Sequence, residues 1–128
     1  MQMIWIVWSR MVEPIVLGMA LGVLAMVLHE CGHLAAATAL KVRVKRIGIQ
    51  WNKGFFTVRE QGTTHQNLLI ALAGPGVNLV LLILEPWFPV FSLANVCCVL
   101  ANLLPIDGSD GYRVAACLRR IRQGEPAH

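Results

Sequence analysis

A chain of 128 residues has room for one domain, and its composition says what kind: 56% hydrophobic and only 14% charged, against roughly 45–50% and 25% in ordinary soluble domains. The apolar residues fall in long blocks and the mean hydropathy is +0.61. That excludes a disordered chain, a nucleic-acid-binding basic protein and a typical soluble enzyme. The formal net charge of +4 is modest, so where the charges lie matters more than how many there are.

The first apolar block runs from Pro14 to Leu40, with fourteen uninterrupted apolar or glycine residues from Ile15 to Leu28. Its 27 positions would reach about 40 Å as a helix, ample for a hydrocarbon core of roughly 30 Å. Arg10 ahead of it and Ala35-Ala36-Ala37 near its end imitate a signal peptide with its cleavage site. The run is too long for one, and polar residues interrupt its far end. Met1 to Trp8 is apolar but too short to span, and reads as an interfacial segment.

The polar stretch that follows has strand texture. Val42-Arg43-Val44 and Ile47 to Trp51 alternate with period two, Asn52-Lys53-Gly54 can turn, and Phe55 to Arg59 resumes the run. A β-hairpin over about 42–60, lying at the membrane surface, is expected, with a bulge at Gly48 where Arg46 breaks the alternation. Two further apolar blocks, Leu68 to Leu84 and Trp87 to Leu104, are separated only by Glu85-Pro86 and read as a tight helical hairpin. Trp87 stands where an interfacial aromatic belongs. The expected architecture is a single α-helical membrane domain over 1–128: about three transmembrane helices, a membrane-associated β-hairpin between the first and second, and a C-terminal tail over 112–128.

Charge placement orients these spans. Six basic residues lie between the first two blocks (Lys41, Arg43, Lys45, Arg46, Lys53, Arg59), and four lie after the third (Arg113, Arg119, Arg120, Arg122). Three spans put that loop and the tail on one side, opposite Arg10 alone, and the positive-inside rule makes that side cytoplasmic. The expected location is multi-pass, in a bacterial cell membrane, with the lipid bilayer as one partner and no nucleic acid. Four cysteines (Cys31, Cys97, Cys98, Cys117) show no Cys-x-x-Cys spacing, and the three in apolar runs are expected as buried small hydrophobes. Gly18-x-x-x-Gly22 reads as a helix-packing face.

His29-Glu30-Cys31-Gly32-His33 fits the His-Glu-x-x-His pattern. On a helix the two histidines are i and i+4, so both imidazoles leave one face and can grip one Zn²⁺, with Glu30 close enough to act on a bound water. An ionisable cluster this deep in a span costs about 2.5–3.5 kcal/mol for the carboxylate alone, so it marks function. A catalytic zinc needs a third protein ligand and an open position. Asp107, Asp110, His65 and Glu85 are the candidates. Glu85 falls at the opposite membrane face and His65 lies in a polar loop, whereas both aspartates follow the third span at the histidines' own face. Two more polar features interrupt apolar runs: Gly74-Pro75-Gly76-Val77-Asn78 and Asn102-Leu103-Leu104-Pro105. Each fits close helix packing and function equally well.

Together, His29-Glu30-Cys31-Gly32-His33, Gly74-Pro75-Gly76-Val77-Asn78 and Asn102-Leu103-Leu104-Pro105 leading to Asp110-Gly111 resemble the motifs of the site-2 protease family, intramembrane zinc metalloproteases. The match covers about Pro14 to Arg113, with the motifs in the family's order and on separate spans. The resemblance implies one zinc per chain on His29, His33 and Asp110 rather than Asp107, and Glu30 as the catalytic base. It also implies that Asn78 and Asn102 hold substrate or stabilise the oxyanion. The expected substrate is then a single-span membrane protein or peptide, its opened strand held on the hairpin edge by β-augmentation. No stretch of the chain reads as a separate regulatory domain such as a PDZ module. Two competing readings use the same residues: a membrane metal or proton carrier with His29, His33 and Asp110 as a relay, and an inactive relative that binds membrane segments without cutting them.

Overall fold

The structure, a computed structural model, describes residues 1–50 and 54–124. The chain forms α1 (Gln2–Ala39), an antiparallel hairpin of β1 (Val44–Gln50) and β2 (Gly54–Arg59), then α2 (Thr64–Leu81), a 3₁₀ turn over Leu82–Leu84, α3 (Pro89–Leu103) and α4 (Asp110–Arg122). The two long helices are sufficiently apolar to cross a membrane, over Met3–Ala39 and Thr64–Leu84. The third expected span is shorter than its apolar run: α3 holds 15 residues, about 22 Å of helix, because Pro86 and Pro89 confine its start and Pro105 follows its end.

Met1 to Trp8, expected as an interfacial segment, is helical and continuous with the first span. It forms the first turns of α1, which continues through Pro14 without a break, and Trp5 and Trp8 remain exposed on it. Residues 112–128 were expected as a tail, yet most of them continue α4. Ser109 Oγ caps that helix by accepting from the Tyr112 N–H at 3.1 Å, and Arg119, Arg120 and Arg122 occupy its last turn, where cations complement the helix dipole. The second span also starts earlier than its apolar run. Thr63 Oγ1 accepts from the Gln66 N–H while Gln66 Oε1 accepts from the Thr63 N–H, a capping box. Gln66 Nε2 then donates to the Leu40 carbonyl at 3.0 Å, tying the start of α2 to the end of α1.

The hairpin pairs Arg46 with Val58, Ile47 with Thr57 and Gly48 with Phe56, and its irregularity falls between Val44 and Arg46. The extra residue is therefore at Lys45, not Gly48. Gly48 serves another end: a Cβ there would sit 2.8 Å from the Phe56 ring. The expected turn at Asn52-Lys53 lies outside the described residues.

Packing is inside-out. Among the described residues the buried set includes seven polar or charged side chains, while large apolar residues cover the outside of α1, α2 and α3. Water would not tolerate that surface, but lipid does. Cys31 and Cys97, expected as buried, accordingly face outward. Gly18 and Gly22 pack against nothing in the described chain, since a Cβ at either meets no atom within 4 Å. Real close approach occurs elsewhere, at Gly32, where a Cβ would sit 2.7 Å from the Ala73 carbonyl oxygen. That approach sets α1 directly on α2.

Candidate metal centre

The α1–α2 contact carries His29 and His33 against Gly74. A Cβ on Gly74 would overlap His33 Nε2 and lie 2.8 Å from His29 Nε2, so no side chain fits between α2 and the imidazoles. Gly111 plays the same part for α4, where a Cβ would overlap the Leu103 carbonyl. Seating Gly111 on the end of α3 turns the adjacent Asp110 inward. Asp110 is 5% exposed, and the histidines are 1% and 8% exposed.

Three ligand atoms meet there. Asp110 Oδ2 lies 2.9 Å from His29 Nε2 and 3.0 Å from His33 Nε2, and the two Nε2 atoms are 3.1 Å apart. The opposite ring nitrogens are committed elsewhere. His33 Nδ1 donates to the Ile70 carbonyl at 2.6 Å, and His29 Nδ1 lies 2.7 Å from Asn78 Oδ1. With both rings protonated on Nδ1, two lone pairs and a carboxylate oxygen converge on one point, which calls for a positive charge. Without a metal, a proton supplies it. Burial works against the ionised Asp110, and the hydrogen bonds from His29 and His33 overcome this, holding its carboxyl below the usual carboxylate range. With a metal, the donor set is two imidazoles and a carboxylate, which suits zinc. Tetrahedral zinc with bonds of about 2.0–2.2 Å keeps its ligand atoms about 3.3 Å apart, within a few tenths of an ångström of the triangle seen here.

The other candidates fall away from this point. Asp107, His65 and Glu85 are all exposed, and among the described residues only His29, His33 and Asp110 form a group able to hold an ion. Glu30 is half-buried on α1, and no hydrogen bond or ion pair within the described chain engages its carboxylate. Asn102 Nδ2 donates to the Cys98 carbonyl of its own helix at 2.9 Å. Asn78, expected as a substrate or oxyanion group, has both ends of its amide engaged within the protein. Its oxygen faces His29, and its nitrogen donates to the Ala25 carbonyl and to Asn95 Oδ1. Asn95 is a buried polar residue that the sequence reading missed. An asparagine inside an apolar run was the available signal.

Beside the centre, β2, the start of α2 and α4 enclose a cavity of about 420 Å³, lined in part by Arg59, Asn67, Tyr112 and Arg113. Arg59 donates to Asn67 Oδ1 at 3.0 Å. Burial and the nearby Arg113 lower its guanidinium pKa, and Asp110 and Cys117 partly offset them.

A comparison with solved structures finds the same fold in "Site-2 Protease from Methanocaldococcus jannaschii", at 28% sequence identity and a TM-score of 0.64, over 85% of this chain. The chain is site-2-protease-like. It spans 55% of that protein's length. No family model matches the sequence, and a search among curated proteins finds no relative. The shared fold and two helices long and apolar enough to cross a membrane suit a membrane protein.

Proposed function

We propose that this site-2-protease-like chain hydrolyses peptide bonds in or near membrane-spanning segments of substrate proteins, using one zinc ion held by His29, His33 and Asp110. The observation that carries the reading is the buried triangle of two Nε2 atoms and one carboxylate oxygen, with both Nδ1 atoms engaged elsewhere. Zinc, when bound, supplies a Lewis acid that acidifies water and polarises the scissile carbonyl.

The remaining work falls to side chains. Glu30, next to His29 on α1 and engaged by no hydrogen bond or ion pair among the described residues, accepts the proton that the attacking water loses. As the C–N bond breaks, it returns that proton to the leaving amine. Asn102 is the available oxyanion donor, because its amide is tied only to Cys98 of its own helix and can turn away, whereas Asn78 is held at both ends. A helical substrate hides its amides in backbone bonds and must open first. The cavity between β2 and α4 is lined by Thr57 to Gln61, so an opened strand laid along β2 would run beside the centre. A carrier would have no use for a carboxylate next to the ligands in sequence that no described residue engages. The test is co-expression with a panel of tagged single-span membrane proteins, comparing wild type with Glu30→Gln.

The hairpin and α4 are placed in the cytoplasm by their basic residues, with the α2–α3 turn on the opposite face. In a background without the four cysteines, a cysteine at Arg122 should react with an impermeant reagent only from the cytoplasmic side. A cysteine at Glu85 should react only from outside. The reverse pattern would overturn the orientation.

A further inference from the structure

Asn78 can orient His29 only if its own amide is prevented from turning over. A carboxamide has an acceptor end and a donor end of nearly equal size, and a turned Asn78 would present its NH₂ to His29 Nδ1. That ring would then carry its proton on Nε2, the atom that must ligate. The hydrogen-bond network removes the freedom. Asn78 Nδ2 faces two acceptors, the Ala25 carbonyl at 3.1 Å and Asn95 Oδ1 at 2.7 Å. Asn95 is oriented in turn by its own Nδ2, which donates to the Phe91 carbonyl at 2.8 Å. A backbone carbonyl cannot reverse its role, so each step fixes the next. The Phe91 carbonyl sets Asn95, Asn95 together with the Ala25 carbonyl sets Asn78, Asn78 holds the proton on His29 Nδ1, and the Nε2 lone pair is left facing Asp110. Asn78 and Asn95 are both fully buried, at 0% exposure, so water has no access to repair a broken link.

We propose that Asn95 is a positioning residue for the metal centre: acting through Asn78 from α3, it locks His29 in the tautomer that can bind the metal. The proposal rests on the zinc site proposed above and deepens it. It makes α3, which supplies none of the three ligands, a determinant of metal affinity.

The test uses the purified full-length chain in detergent, with zinc affinity measured by competition against a chromogenic chelator. Asn95→Leu keeps the branched outline of the side chain and removes both links, and zinc affinity should fall about 10–100-fold. The decisive variant is Asn78→Asp in the Asn95→Leu background. A carboxylate has no donor end to turn, so it needs no orienting partner, and affinity should return to within about threefold of wild type. Loss of packing at Asn95 would not be restored by a change at position 78. Wild-type-like zinc binding by Asn95→Leu, or no recovery in the double variant, would each overturn the relay while leaving the zinc site standing. A wild-type chain that binds no zinc would overturn both.

Discussion

Glu30→Gln is expected to keep its zinc and to lose cleavage by about 10²–10⁴-fold, the usual cost of removing a general base. The two effects separate because Glu30 is not among the three converging ligand atoms and its carboxylate supports no other group within the described chain. Glutamine matches its size and polarity but cannot accept a proton. Zinc content and thermal stability should therefore match wild type, while a substrate cleaved on co-expression with wild type should accumulate uncut. Near-wild-type cleavage by Glu30→Gln would exclude this residue as the base. Metal-dependent transport by the same variant would favour the carrier reading.

The second large effect is expected from the smallest possible change, Gly74→Ala. The added methyl would overlap His33 Nε2 and lie 2.5 Å from His33 Cε1 and 2.8 Å from His29 Nε2, far inside ordinary contact distances. Either α2 retreats from α1 or the imidazoles leave the triangle. Overpacking of this kind costs about 1–3 kcal/mol, a tolerable loss for the fold. The centre is less forgiving, since a misplacement of about 1 Å can cost 10²-fold in rate. Elemental analysis should show most of the zinc gone from protein that still purifies as a folded species, and cleavage should fall at least about 100-fold. Gly76→Ala is the matched control. It lies two residues away in the same helix, where a Cβ meets nothing within 4 Å, so zinc and activity should hold. A zinc-loaded, active Gly74→Ala would contradict the packing described here.

How much of this was legible in the sequence depends on how local each feature is. The His29–His33 pair is a spacing of four on one helix, and the helix period alone puts both rings on one face. The hairpin showed in its alternation, and the apolar blocks in their length. Features that depend on a neighbour's position were not legible. The Gly-Pro-Gly sequence fitted packing and function alike, and only the approach of α2 to the imidazoles shows that at Gly74 the two coincide. The bulge was assigned to Gly48 because glycine is its usual occupant, yet the register places it at Lys45. Asn95 gave no spacing to read, since its meaning lies in partners at positions 78 and 91. By contrast, the Thr63–Gln66 capping box and the Ser109 cap with its basic last turn were written in the sequence. Apolar-block boundaries hid them, because membrane hydropathy marks where lipid begins and not where a helix does.

Zinc stoichiometry of the purified chain tests the central claim most directly, with wild type, Asp110→Asn and Asp107→Asn measured side by side. Asp110 Oδ2 lies within 3.0 Å of both ligand nitrogens, while Asp107 is exposed on the preceding loop. Wild type and Asp107→Asn should each carry one zinc per chain, and Asp110→Asn should be largely empty. A wild type without zinc, or a site emptied by Asp107→Asn and left filled by Asp110→Asn, would contradict it.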